Sequence, residues 1–368
     1  MTTLDLIVGA RPNFMKMAPL YRALMANRDL YRPAVIHTGQ HYDEKMSKLF
    51  FQDLGMPEPS AYLQVGSGSH GQQTARIMER YEEYLLFGNK PDLVIVAGDV
   101  NSTIACALVA KKLQIPVAHL EAGLRSFDER MPEEINRVLT DRVSDLLLTP
   151  SPDADMNLRK EGIARDKIHF VGNIMIDSLV EHLEKAKESC IIRDLGLHDS
   201  DEHCLITLHR PSNVDDPEGL SVILKAFAEI GRDQKLVFPM HPRTQKNILK
   251  LGLHSLLKSI PNIVITEPVG YLDFLKLEMT SSLILTDSGG VQEESTYLGI
   301  PCLTLRENTE RPITIIEGTN RLVELDVKSI VEAAQEAGQQ PTMVKPKPKF
   351  WDGKTASRVV EVIQDWLG

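Results

Sequence analysis

The sequence predicts an α/β protein that consists of two doubly wound domains facing a central cleft. Three observations support this fold class: the chain has 368 residues, short apolar runs alternate with stretches of helical pattern, and the runs fall into two series. A chain of this length exceeds one typical hydrophobic core. Continuous apolar strands alternating with helices are typical of parallel sheets that are covered on both faces.

The first series of apolar runs predicts the sheet of an N-terminal domain, residues 1–172. Stretches such as MKMAPLYRALMANRD and STIACALVAKKL lie between the runs and have the pattern of helices. The predicted strands are LDLIVG (4–9), AVIHTG (34–39), LVIVAGD (93–99), VAHLE (117–121), LLLTP (146–150) and IHFVG (168–172).

The second series predicts a C-terminal domain, residues 173–351, and a final helix, residues 352–368, that packs back on the first domain. The segment KPKPKF (345–350) is the predicted connector to that helix. The predicted strands are HCLITLH (203–209), KLVFPMH (235–241), IVIT (263–266), LILTD (283–287) and PCLTL (301–305).

The composition excludes several classes of function. A net charge of −10 argues against nucleic acid as a partner, because such proteins present a basic face. The longest apolar runs have the length of strands, so no membrane span is predicted. The four cysteines are far apart in the sequence and the N-terminus lacks a secretory signal, which favours a cytoplasmic protein with free thiols.

Nearly every predicted strand ends in a polar or glycine-bearing cluster. Ligands of open α/β sheets bind outside the carboxyl ends of the strands. The segment LTDSGGVQEE (285–294) is the strongest example, since a strand runs into Ser288, Gly289 and Gly290 before a helix begins. Glycines at such a turn let a phosphate approach the backbone N–H groups of the helix start. Glu294, further along the helix, is placed to accept from the hydroxyls of a ribose.

Basic side chains also follow predicted strands. Arg11 and Lys16 of GARPNFMK come after the first strand, where they suit charge-assisted bonds to a diphosphate, although a solvated basic pair explains them equally well. His209 of TLHRP ends another strand and could donate to a phosphate or move a proton.

Acidic side chains gather in the N-terminal half. Asp99 and Glu121 end neighbouring predicted strands, and the helix PEEINRVLTD opens with Glu133, Glu134 and Arg137. The dipole of a helix favours acids in its first turn, which explains Glu133 in part but not the two at strand ends. Carboxylates that converge on one cleft can divide acid and base roles.

Two other patterns are weaker. GSGSHG (66–71) has the spacing G-x-G-x-x-G, but the segment before it is a poor buried strand, so we do not predict a dinucleotide site. His37 and His41 have the spacing of two metal ligands on a helix, yet they straddle a predicted strand end and a loop, so no metal is predicted.

The ordered set of motifs resembles the non-hydrolysing UDP-N-acetylglucosamine 2-epimerase family over essentially the whole chain. That family has a GT-B-like fold of two Rossmann-like domains around a cleft, in agreement with the fold class above. The motifs that carry the resemblance are GARP, HTGQHYD, GDVNST, HLEAGLR, MPEEINR, TLHR, HPRT, LTDSGGVQEE and LRENTERP.

The resemblance implies an isomerase that interconverts UDP-GlcNAc and UDP-ManNAc. The C2 proton and UDP leave to give 2-acetamidoglucal, and UDP adds again after protonation of the opposite face. The resemblance further implies that no cofactor is needed, that the enzyme is a homodimer, and that it serves polysaccharide biosynthesis.

The resemblance also assigns roles to residues. Asp99, Glu121 and Glu133 match the acid/base carboxylates, and His209 matches a histidine near the diphosphate. The predicted substrate-binding residues are Arg11, Lys16, Arg137, His241, Phe274, Ser288, Gly289, Gly290, Glu294 and Arg311.

Three alternatives stay open. A related subgroup inverts UDP-2,3-diacetamido-glucuronic acid and shares GQHYD and MPEEINR, although Glu310-Arg311-Pro312 favours the GlcNAc enzyme. A GT-B glycosyltransferase would share the nucleotide site but need an acceptor. A non-catalytic sensor of nucleotide sugars would have at least one of the three acids pointing away from the cleft.

Overall fold

The computed structural model describes residues 1–39, 54–88, 90–198, 202–339 and 346–368, and of Arg11 and Gln339 only the backbone. The chain divides into two compact units. Unit 1 comprises Met1–Ser178 and Lys349–Gly368, and unit 2 comprises Leu179–Pro348. The first division falls six residues (178 − 172) after the predicted domain boundary, inside a helix, Ile174–Lys187, that sequence patterning cannot divide.

Unit 1 contains a parallel sheet of seven strands in the described part of the chain. Its order is β3-β2-β1-β4-β5-β6-β7, and each neighbouring pair runs parallel. The strands are β1 (Thr2–Val8), β2 (Tyr31–His37), β3 (Ala61–Tyr62), β4 (Leu93–Ala97), β5 (Val117–Leu120), β6 (Leu146–Thr149) and β7 (Ile168–Phe170).

Most helices of unit 1 bury one apolar stripe. Helices in the middle of a layer bury most of their surface. One stripe is Ile77, Tyr81 and Leu85, spaced four residues apart and fully buried. The helices are α1 (Arg11–Ala26), α2 (His70–Phe87), α3 (Asn101–Lys112), α4 (Pro132–Val143), α5 (Pro152–Lys160), α6 (Ile174–Lys187), which continues into unit 2, and the C-terminal α16 (Thr355–Leu367).

Unit 2 repeats this topology with six strands. Its order is β10-β9-β8-β11-β12-β13, and all neighbouring pairs are parallel. The strands are β8 (His203–Thr207), β9 (Lys235–Pro239), β10 (Ile263–Thr266), β11 (Ser281–Thr286), β12 (Cys302–Thr304) and β13 (Asn320–Leu322).

The helices of unit 2 cover both faces of its sheet, with separate apolar clusters on the two sides. They are α7 (Ile191–Asp194), α8 (Pro211–Val214), α9 (Pro217–Ile230), α10 (Pro242–Lys250), α11 (His254–Lys258), α12 (Tyr271–Met279), α13 (Gly289–Leu298), α14 (Ile313–Ile316) and α15 (Val327–Gln339). No helix in the described ranges is both long and apolar enough to cross a bilayer.

The predicted fold class is confirmed, and the differences concern short elements and strand ends. Strands β3 and β13 were not predicted, because two or three residues cannot produce a recognisable apolar run. Most predicted strands end up to two residues too late, since their polar tips are already loop. The G-x-G-x-x-G match is a helix cap instead: the Ser69 hydroxyl accepts from the Gln72 N–H at the start of α2.

Candidate active-site residues

The order of the strands reverses once in each sheet, between β1 and β4 in unit 1 and between β8 and β11 in unit 2. Open α/β sheets bind ligands at this reversal, outside the carboxyl ends of the strands. In unit 1 the loops at this edge carry Gly98 and Asp99, and β5 beside them leads into Glu121. In unit 2 they carry His209 and Ser288. Each unit therefore brings predicted site residues to its own reversal.

Glu121 and Lys16 form a buried ion pair in unit 1. Glu121 is 4% and Lys16 6% exposed, and the Lys16 Nζ lies 2.5 Å from the Glu121 Oε2. The other oxygen, Oε1, is buried and accepts no hydrogen bond from any described residue. A buried carboxylate oxygen left unpartnered costs free energy, so this oxygen is placed to meet a ligand.

The backbone of Glu121 is strained. Its φ is +67°, in the left-handed region that side chains rarely adopt and that costs about 1–3 kcal/mol at a residue of this kind. Gly98 at the neighbouring strand tip also has a positive φ, and an added Cβ there would lie 2.7 Å from the Lys16 Nζ. A side chain at position 98 would displace the Lys16 Nζ from Glu121. The positive φ of Glu121 and the close approach of Lys16 to Gly98 therefore both bear on the position of the Glu121 carboxylate.

Arg137 connects two further acids in unit 1. Its guanidinium donates to Asp99 and, at 2.7 Å, to the Oε2 of Glu134. Glu134 is buried and also accepts the Ser126 and Phe127 N–H groups, at 2.9 and 3.0 Å, so it fixes the loop before α4. Asp99 keeps a side-chain exposure of 30% and is open to a ligand.

Glu133 is half-buried at the start of α4. The adjacent Glu134 makes the hydrogen bonds to Arg137 and to the loop. The sequence could not separate the two adjacent acids, because both stand in the first turn of the same helix. The sequence analysis also missed His119 and Asp141, which are fully buried and joined by a 2.6 Å contact. The two residues are 22 positions apart in the sequence, so no local motif links them, although His119 precedes Glu121 and Asp141 follows Glu133.

In unit 2, α13 begins at Gly289 directly after β11, with Ser288 as its N-cap. A Cβ at Gly289 would lie 2.6 Å from the Arg311 Nη1 and 2.9 Å from the Glu310 Oε1, whereas a Cβ at Gly290 would meet nothing within 4 Å. Gly289 thus lets a cation lie against the helix start. The free N–H groups of a helix start and a nearby arginine together favour an anion.

Asp287 holds the His209 loop at the end of β8. It is fully buried and accepts the N–H groups of His209 and Arg210 at 2.9–3.1 Å, and its Oδ1 lies 3.1 Å from the His209 Nδ1. Burial alone would raise the pKa of Asp287, but the hydrogen bonds and charge of His209 lower it below its ordinary value. A charged Asp287 fixes the ring of His209, whose side chain is 43% exposed.

His241 is the N-cap of α10 and its ring lies 5.9 Å from that of His209. Its Nδ1 accepts the Arg243 N–H at 3.2 Å. Burial and the nearby charges of His209 and Arg243 lower the pKa of His241. His241 therefore stays neutral and can donate through Nε2.

The remaining predicted residues of unit 2 lie around α12 and α13. Glu294 is 5% exposed and its Oε1 accepts from the Tyr271 hydroxyl at 2.9 Å. Phe274 is half-buried and packs on the apolar cluster beside α13. Arg311 is paired with Glu293 at 2.8 Å and with Glu310 at 2.6 Å.

Two residues named in the sequence analysis lie at positions that the structure covers incompletely. The side chain of Arg11 and the whole of His41 lie outside the described residues. His37, four residues before His41, accepts the Gly39 N–H through Nδ1 at 2.8 Å and packs on Phe14 and Tyr62. Burial lowers the pKa of His37 to about 4. Among the described side chains, no group of three or more ligating residues could hold a metal ion.

Two doubly wound units of this topology, each with ionisable side chains at its strand reversal, define a protein of the GT-B-like class. Comparison with known proteins gives the family. The family model described as UDP-N-acetylglucosamine 2-epimerase matches residues 23–364. The UDP-N-acetylglucosamine 2-epimerase of Methanocaldococcus jannaschii is 45% identical over 365 residues, 98% of each chain. The chain belongs to the UDP-N-acetylglucosamine 2-epimerase family and is an epimerase, as the sequence motifs predicted.

A solved structure and a second relative extend the comparison. The crystal structure of M. jannaschii UDP-GlcNAc 2-epimerase in complex with UDP-GlcNAc and UDP matches with a TM-score of 0.91 at 45% identity and covers 99% of each chain. The UDP-2,3-diacetamido-2,3-dideoxy-D-glucuronate 2-epimerase of Pseudomonas aeruginosa is 42% identical over 360 residues, 97% of this chain and 98% of its own length.

Proposed function

We propose that the protein is a non-hydrolysing UDP-GlcNAc 2-epimerase that interconverts UDP-GlcNAc and UDP-ManNAc without a cofactor. Two relatives, at 45% and 42% identity, are named UDP-N-acetylglucosamine 2-epimerase, and two similar solved structures are complexes with UDP-GlcNAc. The observation that supports this proposal most directly concerns the contacts of Glu121. One oxygen of its buried carboxylate binds Lys16, and the other has no partner among the described residues.

The proposed reaction is an elimination followed by an addition. A carboxylate takes the proton from C2, the C–H electrons form the C1–C2 double bond, and the C1–O bond breaks with its electron pair leaving on UDP. The bound 2-acetamidoglucal is then protonated at C2 on the opposite face, and UDP attacks C1 again. Protons and electrons balance, so no redox partner is required.

The residues of unit 1 would serve the sugar. Asp99, Glu121 and Glu133 divide the removal and return of the C2 proton, since a positioned acid or base contributes about 10²–10⁴-fold to rate. The same carboxylates stabilise the positive charge that develops at C1 as UDP departs. Arg137 holds Asp99, and Lys16 holds Glu121.

The residues of unit 2 would serve the nucleotide. The helix start at Ser288, Gly289 and Gly290 receives a phosphate, and His209 with Arg311 offsets the charge of the diphosphate as it leaves. Three further residues complete the assignment: Glu294 accepts from the ribose hydroxyls, Phe274 lies against the uracil, and His241 donates to the diphosphate. In unit 1, Arg11 is assigned to the diphosphate as well.

The decisive experiment is NMR of the purified protein with UDP-GlcNAc alone in D₂O. We expect deuterium at C2 and the appearance of UDP-ManNAc. Glu121→Gln should lower turnover by about 10²-fold or more while UDP still binds, and Glu129→Gln, an exposed acid of the same segment, should leave the rate unchanged. An unexchanged C2–H after long incubation with the wild-type protein would contradict the function.

A second candidate substrate is UDP-2,3-diacetamido-2,3-dideoxy-D-glucuronate, because the relative from P. aeruginosa that bears this name is 42% identical to the chain. Its uronate carries a carboxylate that UDP-GlcNAc lacks. The two candidates are separated by kcat/KM measured for both nucleotide sugars with the same enzyme. We expect UDP-GlcNAc to be preferred, and a preference for the uronate would transfer the assignment to that substrate.

We also propose that the protein is a cytoplasmic homodimer. The free cysteines suit a reducing compartment. Ile135, Val138 and Leu139 on α4 are 51%, 37% and 49% exposed, and their i, i+3, i+4 spacing forms one apolar strip suited to a second copy. Light scattering of the wild type should give twice the monomer mass, and Leu139→Glu should give the monomer.

A further inference from the structure

Glu121 stands at a point where the chain must leave β5 in an unfavourable conformation. Its positive φ is not the residue's own preference, since left-handed backbone is routine only for glycine and, less often, asparagine or aspartate. Such conformations persist only where the surrounding structure holds them. Lys16 binds the Glu121 side chain, but it does not hold the backbone on either side.

The carboxylate of Asp141 contacts both sides of Glu121. Its Oδ1 lies 2.6 Å from the His119 Nδ1, two residues before. Its Oδ2 accepts the Gly123 N–H at 3.1 Å, two residues after, and lies 2.7 Å from the Arg125 Nη1. Asp141 is 1% exposed, so these contacts are sheltered from water. One buried carboxylate therefore spans the segment that carries Glu121.

His119 extends the same connection to β4. Its Nε2 lies 2.8 Å from the carbonyl oxygen of Gly98, and because a carbonyl oxygen can only accept, the His119 Nε2 carries the proton. Gly98 precedes Asp99 directly. The contacts Asp141–His119–Gly98 thus join the tips of β5 and β4.

Asp141 also lies on the helix that carries Arg137. The two residues are four apart on α4, one above the other on the same face, and Arg137 holds the side chain of Asp99. Residues of one helix, α4, therefore hold the backbone before Asp99, the side chain of Asp99 and the segment that carries Glu121.

We propose that Asp141 and His119 are positioning residues of the epimerase, which hold Glu121 in its left-handed conformation and fix Asp99 relative to it. This inference rests on the proposed function for its catalytic consequence, but its structural part does not. Neither residue touches the substrate in this assignment. Asp141 acts through Gly123 and His119, and His119 acts through Gly98.

The competing explanation is that Asp141 and His119 only stabilise the fold in general. A second carboxylate that binds β5 provides a matched control for this explanation. Asp145 holds the other end of the strand: its Oδ2 accepts the Val117 N–H at 3.0 Å and lies 2.7 Å from the Lys111 Nζ. Asp145→Asn therefore removes a carboxylate that binds the backbone of the same strand, far along it from Glu121.

The test compares kcat and KM for UDP-GlcNAc epimerisation in Asp141→Asn, His119→Asn and Asp145→Asn. We expect Asp141→Asn to lower kcat by about 10²-fold, the effect of misplacing a reacting group by about 1 Å, while KM and UDP affinity change less than threefold. His119→Asn removes the contacts of His119 with Gly98 and with the Asp141 Oδ1 but leaves the Asp141–Gly123 hydrogen bond, so it should lower kcat less, by about tenfold. Asp145→Asn should stay within about twofold of the wild type. Should Asp141→Asn not fold, His119→Asn decides.

Amide hydrogen exchange tests the inference without substrate. Asp141→Asn should raise the exchange rate of the Gly123 N–H at least tenfold relative to Asp145→Asn. Folded Asp141→Asn and His119→Asn enzymes with the kcat of Asp145→Asn would overturn the positioning role, as would unchanged exchange at Gly123. If the wild type shows no epimerisation, the proposed function fails instead, and the exchange measurement still decides whether Asp141 holds the segment.

Discussion

Asp5→Asn should make unit 1 more stable at pH 8 than the wild type. Asp5 lies in the middle of β1, is 3% exposed, and accepts a hydrogen bond from the Tyr81 hydroxyl at 3.0 Å. Burial raises its pKa from 3.8 to about 7, partly offset by the Tyr81 bond. The other titratable groups that face it are Tyr84 and Cys106, whose own pKa values are raised by burial and by the charge of Asp5.

The direction of the pH effect follows from proton binding. Between pH 3.8 and 7 the unfolded chain has lost this proton while the folded protein keeps it, so stability falls as the pH rises. The full difference is about 4 kcal/mol, at about 1.4 kcal/mol per pKa unit, and about 3 kcal/mol of it falls between pH 5 and pH 8. Asparagine keeps an acceptor for Tyr81 and cannot ionise, so its advantage over aspartate should grow by that amount.

Native-state hydrogen exchange of the β1 amides measures this free energy within unit 1. The quantity to compare is the effect of Asp5→Asn at pH 8 minus its effect at pH 5, since any fixed cost of the amide cancels. Asp92→Asn is the control: hydrogen bonds from Thr3 lower the pKa of Asp92, so it is ionised in both states across this range. A difference below about 1 kcal/mol for Asp5→Asn would show that burial does not hold its proton.

Three further predictions follow from the sites. Glu278→Met should stabilise unit 2 by about 1–3 kcal/mol in denaturant unfolding, because both carboxyl oxygens of Glu278 are buried without a partner among the described residues. Gly289→Ala should weaken UDP binding about tenfold by calorimetry, whereas Gly290→Ala, which has open space, should not. Lys16→Met should destabilise unit 1 by about 3–5 kcal/mol, as expected when a buried charge such as Glu121 loses its partner, and unchanged unfolding would contradict the ion pair.

Apolar runs and their polar ends were sufficient to predict the parallel sheets. In a doubly wound sheet each buried strand needs a continuous apolar segment, and its carboxyl end must give way to loop at the ligand-binding edge. Asp99, Glu121, His209 and Ser288 were predicted in this way, since each lies one or two residues after the end of a strand. Two-residue β3 leaves no such signal.

The residues that hold the site were not predictable by the same reasoning. His119 lies inside β5 and reads as one polar residue in an apolar strand, and Asp141 lies late in α4, where a surface acid is ordinary. Their contact is tertiary and joins residues 22 positions apart, so neither the hydrophobic periodicity nor the spacing of motifs in the sequence reveals it. The different contacts of Glu133 and Glu134 were not predictable either, because adjacent acids in a first turn are equivalent until the loop before the helix is folded.

Four buried carboxyl groups of this chain, those of Glu121, Asp287, Asp5 and Glu278, fall into two kinds according to their place in the fold. Glu121 and Asp287 stand just beyond the carboxyl ends of strands, where Lys16 and backbone N–H groups reach them, and the pKa of Asp287 is lowered by the hydrogen bonds and charge of His209. Asp5 lies within β1 and Glu278 in the last turn of α12. Burial raises the pKa of both, and the charge of Glu294 adds to the effect at Glu278, so each is built to stay neutral. Charge kept at the edge is available to a substrate, while a neutral acid within the core only costs stability as the pH rises. Replacing Asp5 should therefore leave turnover intact, and replacing Glu121 or Asp287 should not.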